Sequence, residues 1–136
     1  RNAITETLQI ITKWQHKLME KQSPLAIRPG VLHSFDGTLE EANIALEAHF
    51  LIGVGGPVTF KNARERQNLI SEIPLEYLLI ETDAPYLTPE PFRGRRNEPS
   101  YVQYIVKRIA ELKGLPVNTV SDITTANAAH LFTWGV

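Results

Sequence analysis

Leu78-Leu79-Ile80-Glu81-Thr82-Asp83-Ala84-Pro85-Tyr86 reads as an interior strand that ends in two carboxylates and runs into a proline. Side chains alternate along a strand, so Leu79, Glu81 and Asp83 share one face and Leu78, Ile80 and Thr82 the other. Carboxylates at the end of a buried strand are costly to desolvate unless their charge is offset. A bound cation is the commonest offset, and hard cations prefer oxygen ligands of this kind.

Two upstream runs have a similar construction. Gly30-Val31-Leu32-His33-Ser34-Phe35 meets a histidine and ends at Asp36-Gly37, with Val31, His33 and Phe35 expected on one face. Phe50-Leu51-Ile52-Gly53-Val54-Gly55-Gly56-Pro57 falls between the two acid- and histidine-bearing runs. Helical patterns follow the first two strands, at residues 38–48 and 62–73. The result is a βαβαβ rhythm of about 20–25 residues per unit, which implies parallel strands with helices packed outside.

Two architectures share that rhythm, an open doubly wound sheet and a closed eight-stranded barrel. The open sheet announces a nucleotide site with a glycine-rich turn after its first strand, and Ser34-Phe35-Asp36-Gly37 is no such turn. Gly53, Gly55 and Gly56 have the wrong spacing for a dinucleotide fingerprint, and Pro57 follows them. In a barrel, one interior layer draws its side chains from alternate strands, so His33 and Asp83 can share a layer at the mouth. A whole barrel takes about 250 residues, against 136 here with three convincing strands. The expectation is therefore an α/β chain forming part of a (β/α)8 barrel, with three parallel strands and flanking helices. Residues 1–136 would form one partial domain, and the first helical pattern, at residues 4–19, would follow a strand that is not present.

The composition is that of a globular chain, 43% hydrophobic with a net charge of −1. It excludes a global attraction to nucleic acid, and no apolar run is long enough for a bilayer, so no membrane partner is expected. Cysteine is absent, which excludes disulfides and thiolate metal sites and suits a reducing, cytoplasmic setting.

A local patch compensates for the neutral balance. The loop from Thr88 to Pro99 carries Arg93, Arg95 and Arg96 directly after the carboxylate strand. Guanidinium forks match phosphate oxygens, and barrels place their binding loops at the C-terminal ends of the strands. The alternative is that these arginines are merely solvated or pair with Glu90 and Glu98. The last third reads as outer-wall helix. One helix opens at Pro99 and ends at Gly114, a short turn follows Pro116, and a final helix capped by Ser121 or Asp122 runs to Phe132. Trp14, Tyr104 and Trp134 read as packing residues. His16, His49 and His130 sit on or beside helices and are not expected to be ligands, whereas His33 shares its end of the sheet with Asp83.

In order, the strings GVLHSFDGT, IGVGGPVTFKNAR, LLIETDAPYLTPEPFRGRRNEP and TTANAAHLF span nearly the whole chain. They resemble the C-terminal half of the TatD family of metal-dependent deoxyribonucleases. The resemblance implies a (β/α)8 barrel of the amidohydrolase superfamily that hydrolyses phosphodiester bonds with divalent metals, often as a 3′-to-5′ exonuclease on DNA and sometimes on RNA. The family binds metal through an HxH pair on its first strand, a glutamate on the fourth, histidines on the fifth and sixth, and an aspartate on the eighth. By that resemblance His33 matches the sixth-strand histidine and Asp83 the eighth-strand aspartate, both as metal ligands. Asp83 and Glu81 carry the catalytic acid roles, Glu81 lying close to the metals. The opening Arg1-Asn2-Ala3 resembles the run that follows the fifth-strand histidine, and the HxH pair and fourth-strand glutamate have no counterpart.

A phosphodiester is an anion that repels hydroxide, and two metals can neutralise it while acidifying the attacking water. Arg93, Arg95 and Arg96 would hold a neighbouring phosphate, with Asn97 at that phosphate or bracing the loop. The donor set suits magnesium, zinc or manganese, and the resemblance favours magnesium. Alternative functions are a hydrolase of the same scaffold acting on a small phosphoester, and a catalytically incomplete fragment. Open parallel edges invite pairing, so the isolated chain is expected to self-associate and to lack nuclease activity, its natural partners being DNA and the missing N-terminal half.

Overall fold

The computed structural model describes residues 2–134. Arg1, which opens the run matched to the fifth-strand motif, lies outside the described residues. Helix α1 (Asn2–Glu20) buries Leu8 and sets Ile4 and Ile11 against the core, one stripe of an amphipathic helix. Met19, near the end of that helix, is about half exposed. Strand β1 (Val31–Leu32) is short. Its alternation stops after His33 because Ser34 takes φ 51°, a left-handed conformation that turns the chain out of the sheet. Phe35, expected beside Val31 and His33, instead joins the main core with Leu8, 5% exposed.

Helix α2 (Leu39–Glu47) begins at a reciprocal cap. Thr38 Oγ1 accepts from the Glu41 amide at 3.2 Å, and the Glu41 carboxylate accepts from the Thr38 amide at 2.8 Å. Strand β2 (Leu51–Val54), helix α3 (Arg64–Glu72) and strand β3 (Leu78–Ile80) come next in the chain. Helix α4 (Val102–Lys113) ends where Gly114 adopts φ 63°, the left-handed cap for which glycine carries no penalty. Residues 117–132 form one continuous helix, α5 (Val117–Phe132), with Pro116 before its first turn. The expected break and cap at Ser121 or Asp122 are absent, because Pro116 already sets the helical φ and no glycine or proline interrupts residues 117–132.

All three strands are parallel and lie in chain order, β1-β2-β3. Ile52 pairs with Leu78, Gly53 with Leu79 and Val54 with Ile80. Parallel crossovers are right-handed almost without exception, which places α2 and α3 on one face of the sheet. Ile52, Val54 and Leu78 point to that face and meet Ala42, Ala45, Ile70, Ile105, Ile109 and Val120 in a continuous core. The other face shows Leu51, Gly53 and Leu79, and it leads to the acids beyond β3. A three-stranded parallel α/β sheet with flanking helices is therefore observed as expected. No helix among the described residues is long and apolar enough to cross a membrane.

Candidate functional site

His33, Glu81 and Asp83 all leave the C-terminal end of this sheet, and the strand between them carries glycine. The Glu81 amide continues the ladder to the Val54 carbonyl at 3.1 Å. Its side chain then crosses over β2 to reach residues that follow β1. There Glu81 Oε2 meets His33 Nδ1 at 2.8 Å, and Oε1 accepts from the Ser34 amide at 2.6 Å. A Cβ at Gly53 would lie 2.3–2.8 Å from three atoms of that carboxylate. Position 53 must therefore be bare for the crossing to exist. Gly55 plays the same part for Asp83, whose Oδ2 would sit 2.8 Å from a Cβ there.

The His33 ring lies between the two acids. Nδ1 faces Glu81, and Nε2 faces Asp83 Oδ1 at 3.3 Å. The Glu81 hydrogen bond and charge hold the imidazole above its ordinary range, opposed by burial and helped to a lesser degree by Asp83. The ring is well exposed, 63%, whereas the carboxylates are largely covered, 10% and 14%. Asp83 Oδ2 is buried with no hydrogen-bond partner among the described residues. A buried oxygen without a donor asks for a cation, a water or another chain segment.

Sequence reasoning brought His33 and Asp83 to one end of the sheet, and the structure does the same. The partner of the second His33 nitrogen, unassigned from sequence, is Glu81. Both Glu81 oxygens are engaged there, so its geometry is that of a group that orients the histidine rather than one that faces a reacting atom. The three side chains do not form a complete cage. Among the described residues no set of three or more His, Cys, Asp or Glu is arranged to hold a metal ion, because the ring nitrogens point at the acids instead of sharing a centre with them. His16, His49 and His130 are exposed, and His49 and His130 lie together beside Leu51 and Tyr77, where β2 and β3 begin.

The loop after Asp83 folds back on itself. The Tyr86 amide donates to the Asp83 carbonyl at 2.7 Å and the Asn97 amide to the Pro85 carbonyl at 3.0 Å. Asn97 Nδ2 donates to the Tyr86 carbonyl at 2.7 Å, and its Oδ1 accepts from the Glu98 amide at 2.8 Å. With Asn97 2% exposed, phosphate contact is closed to it, and of its two expected roles the brace is the one its geometry allows. Arg93, Arg95 and Arg96 are exposed, and none pairs with a carboxylate among the described residues. The expected alternative of pairing with Glu90 and Glu98 is thus absent. Arg93 instead lies 4.1 Å over the Phe60 ring.

Gly56 was also missed from sequence. A Cβ there would lie 2.1 Å from the Leu87 carbonyl oxygen, and Leu87 itself holds φ 50°. This contact is with backbone, which cannot swing aside. Gly56→Ala is expected to destabilise the protein by about 1–3 kcal/mol, read as a lower urea midpoint. An unchanged midpoint would show that the loop relaxes freely.

The family model described as TatD related DNase matches residues 1–133. The chain belongs to the TatD-related DNase family. The uncharacterized metal-dependent hydrolase YabD of Bacillus subtilis is 52% identical over 103 residues, which is 76% of this chain and 40% of that protein. An uncharacterized metal-dependent hydrolase of Buchnera aphidicola is 42% identical over 132 residues, 97% of this chain and 47% of its own length. The crystal structure of YjjV, a TatD homolog from Escherichia coli, superposes with a TM-score of 0.74 at 31% identity, over 90% of this chain and 46% of that one. This TatD chain spans less than half the length of those relatives.

Proposed function

We propose that this chain supplies three neighbouring strands of a (β/α)8 barrel and part of the active site of a divalent-metal-dependent phosphodiesterase acting on DNA, of the 3′-to-5′ exonuclease type that the family resemblance implies. The observation that carries the proposal is the convergence of His33, Glu81 and Asp83 at the C-terminal end of three sequential parallel strands, with a buried unpartnered oxygen on Asp83. Barrel enzymes keep their chemistry at that end. The rest of the barrel, and the remaining ligands, come from residues outside this chain. A cytoplasmic setting agrees with the cysteine-free composition.

The donor set fits a divalent metal in part. An imidazole and a carboxylate suit magnesium, manganese or zinc, and the orphaned Asp83 oxygen has a charge to satisfy. His33 through Nε2 and Asp83 through its carboxylate would hold the ion. When bound, it supplies Lewis-acid charge to the phosphodiester and acidifies the attacking water. Glu81 fixes the tautomer of His33 by holding Nδ1, as outer partners of metal-ligating histidines do. Asp83 also orients the attacking water and takes its proton. Arg93, Arg95 and Arg96 hold a neighbouring phosphate of the strand.

The test is hydrolysis of an end-labelled oligonucleotide by the intact protein, with magnesium or manganese and with chelator. Metal-dependent release of nucleotides from the 3′ end is expected. Hydrolysis confined to small phosphoesters would move the enzyme to a different substrate. Replacing Arg93, Arg95 and Arg96 together with alanine should also flatten the salt dependence of DNA binding. Each single-strand phosphate contact adds about 0.7 to the slope of log affinity against log salt, so a loss of about 2 is expected. An unchanged slope would return the loop to solvated surface.

A further inference from the structure

Phe92, Tyr101 and Tyr104 form a three-ring cluster on the flank of the loop that follows β3. Phe92 and Tyr101 stack at 4.6 Å between centroids with 14° between planes, and Tyr104 meets them edge-on at 5.3 and 6.0 Å. Core packing does not account for the cluster. All three rings remain partly exposed, whereas Ile105 and Ile109 on the same helix are fully buried. Cations interleave with the rings: Arg95 lies 5.9 Å over Phe92 and Lys107 5.4 Å over Tyr104. Both cations are exposed and pair with no carboxylate among the described residues, while Arg108 beside them is taken by Glu111 at 2.7 Å. Tyr104, expected from sequence to be packing alone, is part of a surface.

We infer that this strip of rings and cations is a docking surface for single-stranded nucleic acid, separate from the cluster of His33, Glu81 and Asp83. A single strand presents a phosphate and an unpaired base at each step. Exposed cations suit the first and partly exposed aromatic rings the second. A duplex keeps its base faces stacked inside, and an acidic peptide would engage the cations and leave the rings idle. The choice of nucleic acid rests on the nuclease reading above and adds to it a second region of contact. One braced loop joins the His33–Asp83 cluster to the strip: it starts at Asp83 and returns through Asn97 to Tyr101 and then to α4, which carries Tyr104. A strand held at that cluster by one end can thus rest its following nucleotides on the strip.

The test uses the intact protein carrying Asp83→Asn, so that substrate is bound and not cut, and reads fluorescence anisotropy. A thymidine oligomer of about twelve nucleotides should bind more tightly than a dinucleotide, and an abasic oligomer of equal length should lose most of that gain. Tyr101→Leu with Tyr104→Leu keeps apolar bulk in the cluster and should lower the affinity for the long oligomer about tenfold or more, with the dinucleotide little changed. Lys107→Glu, at an exposed position that folding does not depend on, should act in the same direction. A long oligomer that binds no better than the dinucleotide, or an abasic oligomer that binds as well as the thymidylate, overturns the docking surface and leaves the nuclease reading standing. An acidic peptide that competes as well as the oligomer also overturns it, in favour of a protein partner. If the protein with native Asp83 hydrolyses no phosphodiester under any divalent metal, the nuclease reading fails first, and the docking surface fails with it.

Discussion

Asp83→Asn in the intact protein should lower metal-dependent phosphodiester hydrolysis by about 10²–10⁴-fold and leave the melting temperature nearly unchanged. The substitution keeps the shape of the side chain and removes its charge. Among the described residues the one side chain it pairs with is His33, at 3.3 Å and largely exposed, and exposed pairs contribute little to stability. What the substitution removes is a carboxylate whose second oxygen is buried without a partner, the feature least explained by folding. Asp36→Asn is the control. Asp36 follows the same strand as His33 and pairs with Arg66 at 2.6 Å, while its own side chain is 82% exposed. It should leave turnover near that of the unsubstituted protein. Equal losses in the two variants would trace the effect to charge at this end of the sheet, and an active Asp83→Asn enzyme would remove the proposed role altogether.

The parallel order and the pairing of His33 with Asp83 were legible because they derive from period and position. Apolar runs of strand length, each followed by a helical pattern, leave few topologies once right-handed crossovers are imposed. Alternation fixed which face Glu81 and Asp83 share. Alternation failed where the backbone left the extended region. Nothing in His33-Ser34-Phe35 announces that Ser34 takes a positive φ, so period alone puts Phe35 on the wrong side of the sheet. Pro116 illustrates a second limit. From sequence it opens a short turn, and only packing shows that the helix runs on to Phe132. The role of Glu81 was hidden for a third reason, since a contact that jumps over a middle strand has no local signature in either partner. A signal was nonetheless present: Gly53 and Gly55 are spaced by two at the end of the middle strand, as Glu81 and Asp83 are just beyond the next. Small residues spaced like the acids of a neighbouring strand leave room for those acids to lie across the sheet.

That correspondence makes Gly53→Val the most informative second substitution. A Cβ at position 53 would stand 2.3 Å from Glu81 Oε2, and the two methyl groups of valine fill the path that the side chain takes over β2. The clash is with the end of a flexible side chain, so the sheet can persist while Glu81 is driven off. His33 Nδ1 and the Ser34 amide then lose their shared acceptor, and the ring is no longer held in one tautomer. Metal affinity should fall about 10–100-fold, the usual cost of losing the partner that orients a ligating histidine. Stability should fall by about 1–3 kcal/mol from overpacking. Isothermal titration with manganese reads the first effect and urea unfolding the second. A double-mutant cycle separates the mechanism from simple damage. If Gly53→Val acts by displacing Glu81, then Glu81→Ala added to it should cost little further metal affinity, although Glu81→Ala alone costs about as much as Gly53→Val. Fully additive losses would mean that the valine disturbs the site by another route, and that the bare position on β2 is not what lets Glu81 hold His33.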